Sequence, residues 1–275
     1  MNSLAKKLLE DPTIREQANS SRLFQRLLES AKRVRIDDTS YFIVEGDLLF
    51  DVDELALYAL RRENPARAAE LGERDLGDGR KGLVAMVEDG MQVKWPSGMV
   101  LTYCVERETF GSSVRYQDIV DRMRAAAAGW QSICDIRFRH EADADAPGAD
   151  RSGCLFRVRF SDLGGKLVAL AFFPNDAPSR RVVHIDPTYF ADHDYDRTGI
   201  LRHELGHVLG FKHEHILSDA PPDCPDESTD GTFTLTAYDP RSVMHYFCGG
   251  VGSKDMNFSE DDIAGARAFY GPPTP

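Results

Sequence analysis

His203-Glu204-Leu205-Gly206-His207-Val208-Leu209-Gly210-Phe211-Lys212-His213-Glu214 is the stretch on which the reading of this chain turns. Residues four apart share one face of a helix. His203 and His207 therefore point the same way, one turn apart, and Glu204 lies beside them. Gly210 stops the helix and reverses the chain, because glycine takes a left-handed conformation without a Cβ penalty. That reversal returns His213 as a third ligand. Three neutral imidazoles suit one zinc ion and leave a fourth position open for water, as in a catalytic rather than a closed structural site. Zinc lowers the pKa of bound water from about 15.7 to about 7. Glu204 is then the candidate general base that takes a proton from that water.

Downstream, Ser242-Val243-Met244-His245-Tyr246 looks like the Met-turn of the metzincins, a resemblance that implies Met244 as an apolar floor beneath the metal. A bare HExxH is a modest signal. The longer string, with Gly210 and His213 in place and a Met-turn after it, is the metzincin signature. Upstream, Val100 to Glu106 is strand-like, and Val114 to Ser132 is helical with Ile119, Met123, Ala126, Ala127 and Trp130 at core spacing. Strand candidates follow at Ile136–His140, Leu155–Phe160, Leu167–Phe173 and Arg181–Ile185. A helix spans about Asp196 to Leu209, and a final helix starts at Ser259, where early acids suit its N-terminus.

Within the metzincins the chain resembles the astacins. Phe211 and Glu214 complete HExxHxxGFxHE, the turn resembles their SxMHY, and Val93-Lys94-Trp95-Pro96-Ser97-Gly98 resembles the start of a mature astacin domain. The resemblance covers roughly residues 91 to 271. It implies an α+β fold with a twisted mixed five-stranded sheet, an active-site helix, and a C-terminal subdomain holding the Met-turn and final helix. Leu167 to Phe173 becomes the edge strand above the cleft, where a polypeptide substrate can add as a further strand. Tyr246 is implied as a fifth zinc ligand that swings away to stabilise the oxyanion, and Glu214 as the residue near which a processed N-terminus packs. His215 to Pro225 and the cysteine positions depart from the astacin pattern. Leu167–Pro174 and Val182–Asp186 look closer to matrixins, but Leu170 replaces the histidine of their structural zinc, so one zinc is expected. A matrixin- or serralysin-like protease of narrow specificity, or a zinc-binding interaction module without activity, are the alternatives.

Residues 1–90 read as a mostly helical, polar pro-segment and residues 91–275 as the catalytic domain. Leu4, Leu8 and Leu9 share a face, as do Phe24, Leu27, Leu28 and Ala31. Within the apolar stretch Tyr41–Phe50, Phe42-Ile43-Val44-Glu45-Gly46-Asp47 ends in a Gly-Asp pair, and by resemblance to astacin pro-segments Asp47 is the candidate zinc cap that keeps the enzyme latent. Gly72 to Lys81 reads as an exposed linker, with processing expected between Gly79 and Gln92 and Arg80-Lys81 as one basic site.

Composition sets the remaining bounds. Of 275 residues, 42% are hydrophobic and 28% charged, as in soluble globular proteins. A net charge of −12 opposes nucleic-acid binding, which needs a basic face. No apolar run reaches membrane-spanning length. A monomer is expected. Met1 to Asp11 lacks a signal peptide's apolar core, so the sequence assigns no compartment, although a latent protease fits secretion. Five cysteines, none in a CxxC pair, leave open two bridges with one thiol over, or free buried thiols.

Overall fold

Alternating apolar residues in β6 (Val100–Val105), β7 (Arg137–His140) and β8 (Phe156–Phe160) build the main sheet of the computed structural model, in which residues 8–36, 39–44, 48–63, 83–88, 90–225, 229 and 231–274 are described. Its order is β7-β6-β8-β10-β9, with β10 at Val182–Ile185 and β9 at Ala169–Leu170. The first four strands run parallel, and β9 pairs antiparallel with β10, Leu170 opposite His184. This is the five-stranded mixed sheet expected from the sequence, with the edge strand where the resemblance puts it. Only two residues of the predicted Leu167–Phe173 strand pair. All four residues of β10 are buried, because both faces of the sheet's inner part are covered.

Helix α4 (Ser113–Ile133) covers one face and buries Ile119, Met123, Ala126 and Trp130 completely. It packs on α5 (Arg197–Val208), the predicted histidine helix, and both join the sheet in one core. The last helix, α6 (Glu260–Tyr270), begins with a capping box: Ser259 accepts from the Asp262 N–H, and Asp262 accepts from the Ser259 N–H.

A second sheet lies around β4 (Val84–Glu88). It sits between β11 (Phe211–Lys212) and β12 (Thr232–Thr234), with β5 (Met91–Gln92) as its hairpin partner. Val84 lies opposite Lys212, and Leu83, Val84 and Ala85 are fully buried. Sequence periodicity did not single out this strand, which stands within the stretch assigned to the pro-segment.

The remaining N-terminal residues form helices α1 (Pro12–Ser20), α2 (Arg22–Ser30) and α3 (Val52–Glu63). Asp11 caps α1 by accepting from the Thr13 N–H at 2.8 Å, and Ser21 caps α2 by accepting from the Phe24 N–H at 3.0 Å. Leu9, Ile14, Phe24, Leu55 and Leu57 close a small core of their own. Between the helices stands an antiparallel sheet, β1 (Lys32–Ile36), β2 (Thr39–Val44) and β3 (Leu48–Phe50), that the helical reading did not anticipate. Val34 and Ile43 from this sheet pack on Leu163 and Leu170 beside the edge strand. Arg180 pairs with Glu54, and Lys166 donates to the Arg33 carbonyl. The candidate zinc cap Asp47, the linker Gly72–Lys81 and the basic pair Arg80-Lys81 lie outside the described residues. No described helix is long and apolar enough to cross a membrane.

Candidate metal centre

The histidine helix is held at both ends and along its back by side chains from distant segments. Asp196 caps its start by accepting from the Gly199 N–H at 2.6 Å. Its last carbonyls, which no helical N–H can reach, accept from elsewhere: Val208 from the Trp95 indole N–H at 2.8 Å, and Leu209 from the Tyr270 hydroxyl at 2.6 Å. The Trp130 indole donates to the Arg202 carbonyl at 2.9 Å. Gly210 adopts φ +94°, and a Cβ there would fall closer than 3.0 Å to the Val93 carbonyl oxygen. The glycine is therefore required twice, by the left-handed turn and by the neighbouring backbone.

His203, His207 and His213 are brought together, all buried, with one ligand atom each lying within 4.8 Å of the others. The hydrogen bonds on the far side of two rings set their tautomers. His203 Nδ1 is 2.8 Å from the Val243 carbonyl oxygen, and His207 Nδ1 is 2.8 Å from the Phe211 carbonyl oxygen. A carbonyl only accepts, so each Nδ1 carries the proton and each neutral Nε2 presents a lone pair. Those two Nε2 atoms face one another at 3.1 Å. Two lone pairs at that separation repel unless a cation lies between them. The donor set, three imidazoles with carbonyl-fixed orientation, fits a zinc ion of open coordination. Glu204 is buried on the same helix, one residue past His203.

The Met-turn lies beneath this group. Met244 is fully buried, and the position of a Cβ on Gly206 would fall closer than 3.0 Å to its sulfur. Helix and turn can approach this closely only because residue 206 has no side chain. The Met244 carbonyl accepts from the Glu214 N–H at 2.9 Å, which ties the turn to the segment carrying His213. Tyr246 stands half-buried with its ring centroid 4.3 Å from that of His213 and 5.7 Å from that of His203.

Two acids shape the surroundings. Asp262, read from sequence only as an early acid of the last helix, reaches across to the Met-turn. It accepts from the Ser242 hydroxyl at 2.6 Å and the Val243 N–H at 2.8 Å. Val243 is the residue whose carbonyl orients His203, so one carboxyl joins α6 to a candidate metal ligand. Burial, the largest influence, pushes the Asp262 carboxyl up to about 6. Glu214 is fully buried, and one oxygen accepts from the Asp239 N–H at 2.9 Å. Its other oxygen, Oε2, has no partner among the described residues. Burial first, and Asp262 and Asp239 after it, push its carboxyl up to about 8. His184 on β10 stands apart from the three histidines, bonded to the Ser161 hydroxyl at 2.8 Å and pushed down to about 3 by burial.

No protein-family model matches the chain. Zinc metalloproteinase nas-3 of Caenorhabditis elegans is 29% identical over 121 residues, 40% of each chain. Zinc metalloproteinase nas-2 of the same organism is 27% identical over 158 residues, 53% of each chain. The chain thus spans about half the length of the curated relatives it matches. Among solved structures, myroilysin aligns at 20% identity and a TM-score of 0.48, covering 68% of this chain and 98% of that one. A hatching-enzyme zinc protease from the medaka fish Oryzias latipes aligns at 19% identity and a TM-score of 0.41, covering 65% and 94%.

Proposed function

We propose that this chain, an astacin-like metzincin by sequence, is a zinc-dependent endopeptidase made in latent form. The observation that carries the reading is the pair of Nε2 lone pairs held 3.1 Å apart by carbonyl-bound Nδ1 protons, with His213 completing the set. When bound there, zinc polarises the scissile carbonyl and brings the pKa of water to about 7. The other steps belong to the protein. Glu204 takes the proton of the attacking water and passes it to the departing amine. The Tyr246 phenol, packed beside His213 and His203, donates to the oxyanion as it develops. The short edge strand β9 offers backbone groups to an extended polypeptide. The relatives' names support zinc and proteolysis as a class.

Latency is read from the N-terminal segment. Its sheet covers Leu163 and Leu170 at the edge strand, and Glu54 anchors it to Arg180. Asp47 caps the zinc in this reading. The position of β4 narrows the processing window: cleavage within Val84–Glu88 would remove the strand between β11 and β12. Within the expected window from Gly79 to Gln92, the basic pair Arg80-Lys81 is the site this reading favours, since a cut there leaves β4 in place. The antiparallel register, with Val84 opposite Lys212, carries the start of β4 toward Glu214. A new ammonium at Gly82 would supply the positive partner that Glu214 Oε2 lacks.

Zinc analysis paired with casein digestion tests the core of this. Glu204→Ala should retain zinc and lose turnover by orders of magnitude, and a chelator should abolish wild-type activity. Digestion that survives either treatment refutes the assignment. Asp47→Ala should raise basal proteolysis of the full chain or speed its self-processing, whereas unchanged latency removes Asp47 from the proposal.

A further inference from the structure

Beside the Cys224–Cys248 disulfide, three cysteines remain as thiols: Cys104, Cys134 and Cys154. Two of them meet. Cys104 lies fully buried on β6, on the same face as Thr102 and Glu106, since alternate residues of a strand share a face. The loop entering β8 is fastened onto that face. The Thr102 hydroxyl donates to the Gly153 carbonyl at 2.8 Å, and the Leu155 N–H donates to the Thr102 carbonyl at 2.8 Å. The Cys154 N–H closes a turn on the Arg151 carbonyl at 3.0 Å. With the loop held on this face by the Thr102 bonds, the Cys154 thiol comes to act on the Cys104 thiol. Cys134 has a different neighbour, the Trp130 carbonyl, 3.5 Å from its sulfur.

The two thiols also differ in access. Cys104 is closed off from solvent, while Cys154 is only partly buried at the loop. We propose that Cys104 and Cys154 form a second redox site, a cross-link that staples β6 to the loop entering β8 when the chain meets a small-molecule disulfide. The Cys154 thiolate attacks one sulfur of the oxidant, forming a mixed disulfide and releasing one thiolate. Cys104 then attacks the Cys154 sulfur, and the second half of the oxidant leaves. Two protein thiols are oxidised, one disulfide is reduced to two thiols, and the two protons end on the released halves. Cys154 goes first because solvent reaches it and not Cys104; burial raises both thiols, that of Cys104 up to about 12. Once Cys154 carries the mixed disulfide, Cys104 is the thiol beside it that resolves the bond.

The test treats the full native chain with oxidised glutathione, alkylates it after denaturation, and maps the peptides. The expected result is a Cys104–Cys154 linked peptide with Cys134 alone alkylated. The melting temperature should rise by several degrees, because the bond closes a loop of roughly fifty residues in the unfolded chain. Cys104→Ser and Cys154→Ser should each lose the linked peptide and the shift, and Cys134→Ser should keep both. Three alkylated thiols after oxidation overturn the proposal. So does a persistent glutathione adduct on Cys154 with Cys104 still open to alkylation. Peptide mapping of the wild-type chain decides the matter even where a serine variant folds poorly.

Discussion

Replacing Gly206 by alanine examines how closely the Met-turn supports the metal ligands. In an ordinary helix interior this change stabilises by about 1 kcal/mol, because alanine is the better helix former. Here the added Cβ would fall closer than 3.0 Å to the Met244 sulfur and 3.3 Å from Trp130 Cζ2. Met244 and Trp130 are both fully buried, so the thioether has no open space to turn into. Overpacking of this kind costs about 1–3 kcal/mol. The expected net outcome is destabilisation, a drop in melting temperature of several degrees, and weaker zinc retention as α5 lifts from the turn. Disturbing groups that support metal ligands costs about 10–100-fold in affinity, which competition with a fluorescent zinc chelator would read. Met244→Ala alone should destabilise by about 2–5 kcal/mol through the cavity it leaves. The double variant should be less damaged than the two single effects added together, because the new methyl group enters that cavity. A Gly206→Ala chain that is more stable than wild type and holds zinc equally well refutes the reasoning.

Three other outcomes can be measured. Asp262→Ala should destabilise by about 2–4 kcal/mol in denaturant titration, since the buried Val243 N–H and the partly buried Ser259 N–H lose their acceptor, whereas Asp262→Asn, which keeps one oxygen for them, should be tolerated. The Asp262 carboxyl holds its proton more tightly in the folded chain, up to about 6 from 3.8, so its contribution to stability is full below pH 3.8 and lost as pH rises through about 6. In chelated protein, wild-type stability should fall over that window more steeply than that of Asp262→Asn, and parallel curves would count against the assignment. Tyr246→Phe should lower kcat by about 100-fold with zinc content unchanged if the phenol supplies an oxyanion hydrogen bond, while loss of zinc would make the tyrosine mainly a support for the site.

The metal group was legible because its geometry is local. A four-residue spacing on a helix and one turn glycine are sequence facts, and they place two ligands and return a third. The Met-turn was legible as a recurring string. What escaped was tertiary. Gly206 looked like one of two variable positions in HExxH, and its need to be small is set by Met244, which is far along the chain. Asp262 showed its cap in the local sequence but not its reach to Ser242 and Val243. In β1, Lys32 to Ile36, only Val34 is buried, so charged residues masked the strand. Strand β4 carries two consecutive apolar buried residues after a buried Leu83, a pattern without period that only its place between β11 and β12 explains.

The apolar contact at the edge strand bears on how the shortened protein would behave. Val34 and Ile43 roof over Leu163 and Leu170, which are 0% and 1% exposed in the full chain. A chain starting at Gly82 would open those leucines to water beside a strand edge with unsatisfied backbone groups, a combination that favours self-association. The released N-terminal piece, added back as a separate polypeptide, would find its seat already shaped. Bound there, it would cover the same leucines again and oppose that self-association.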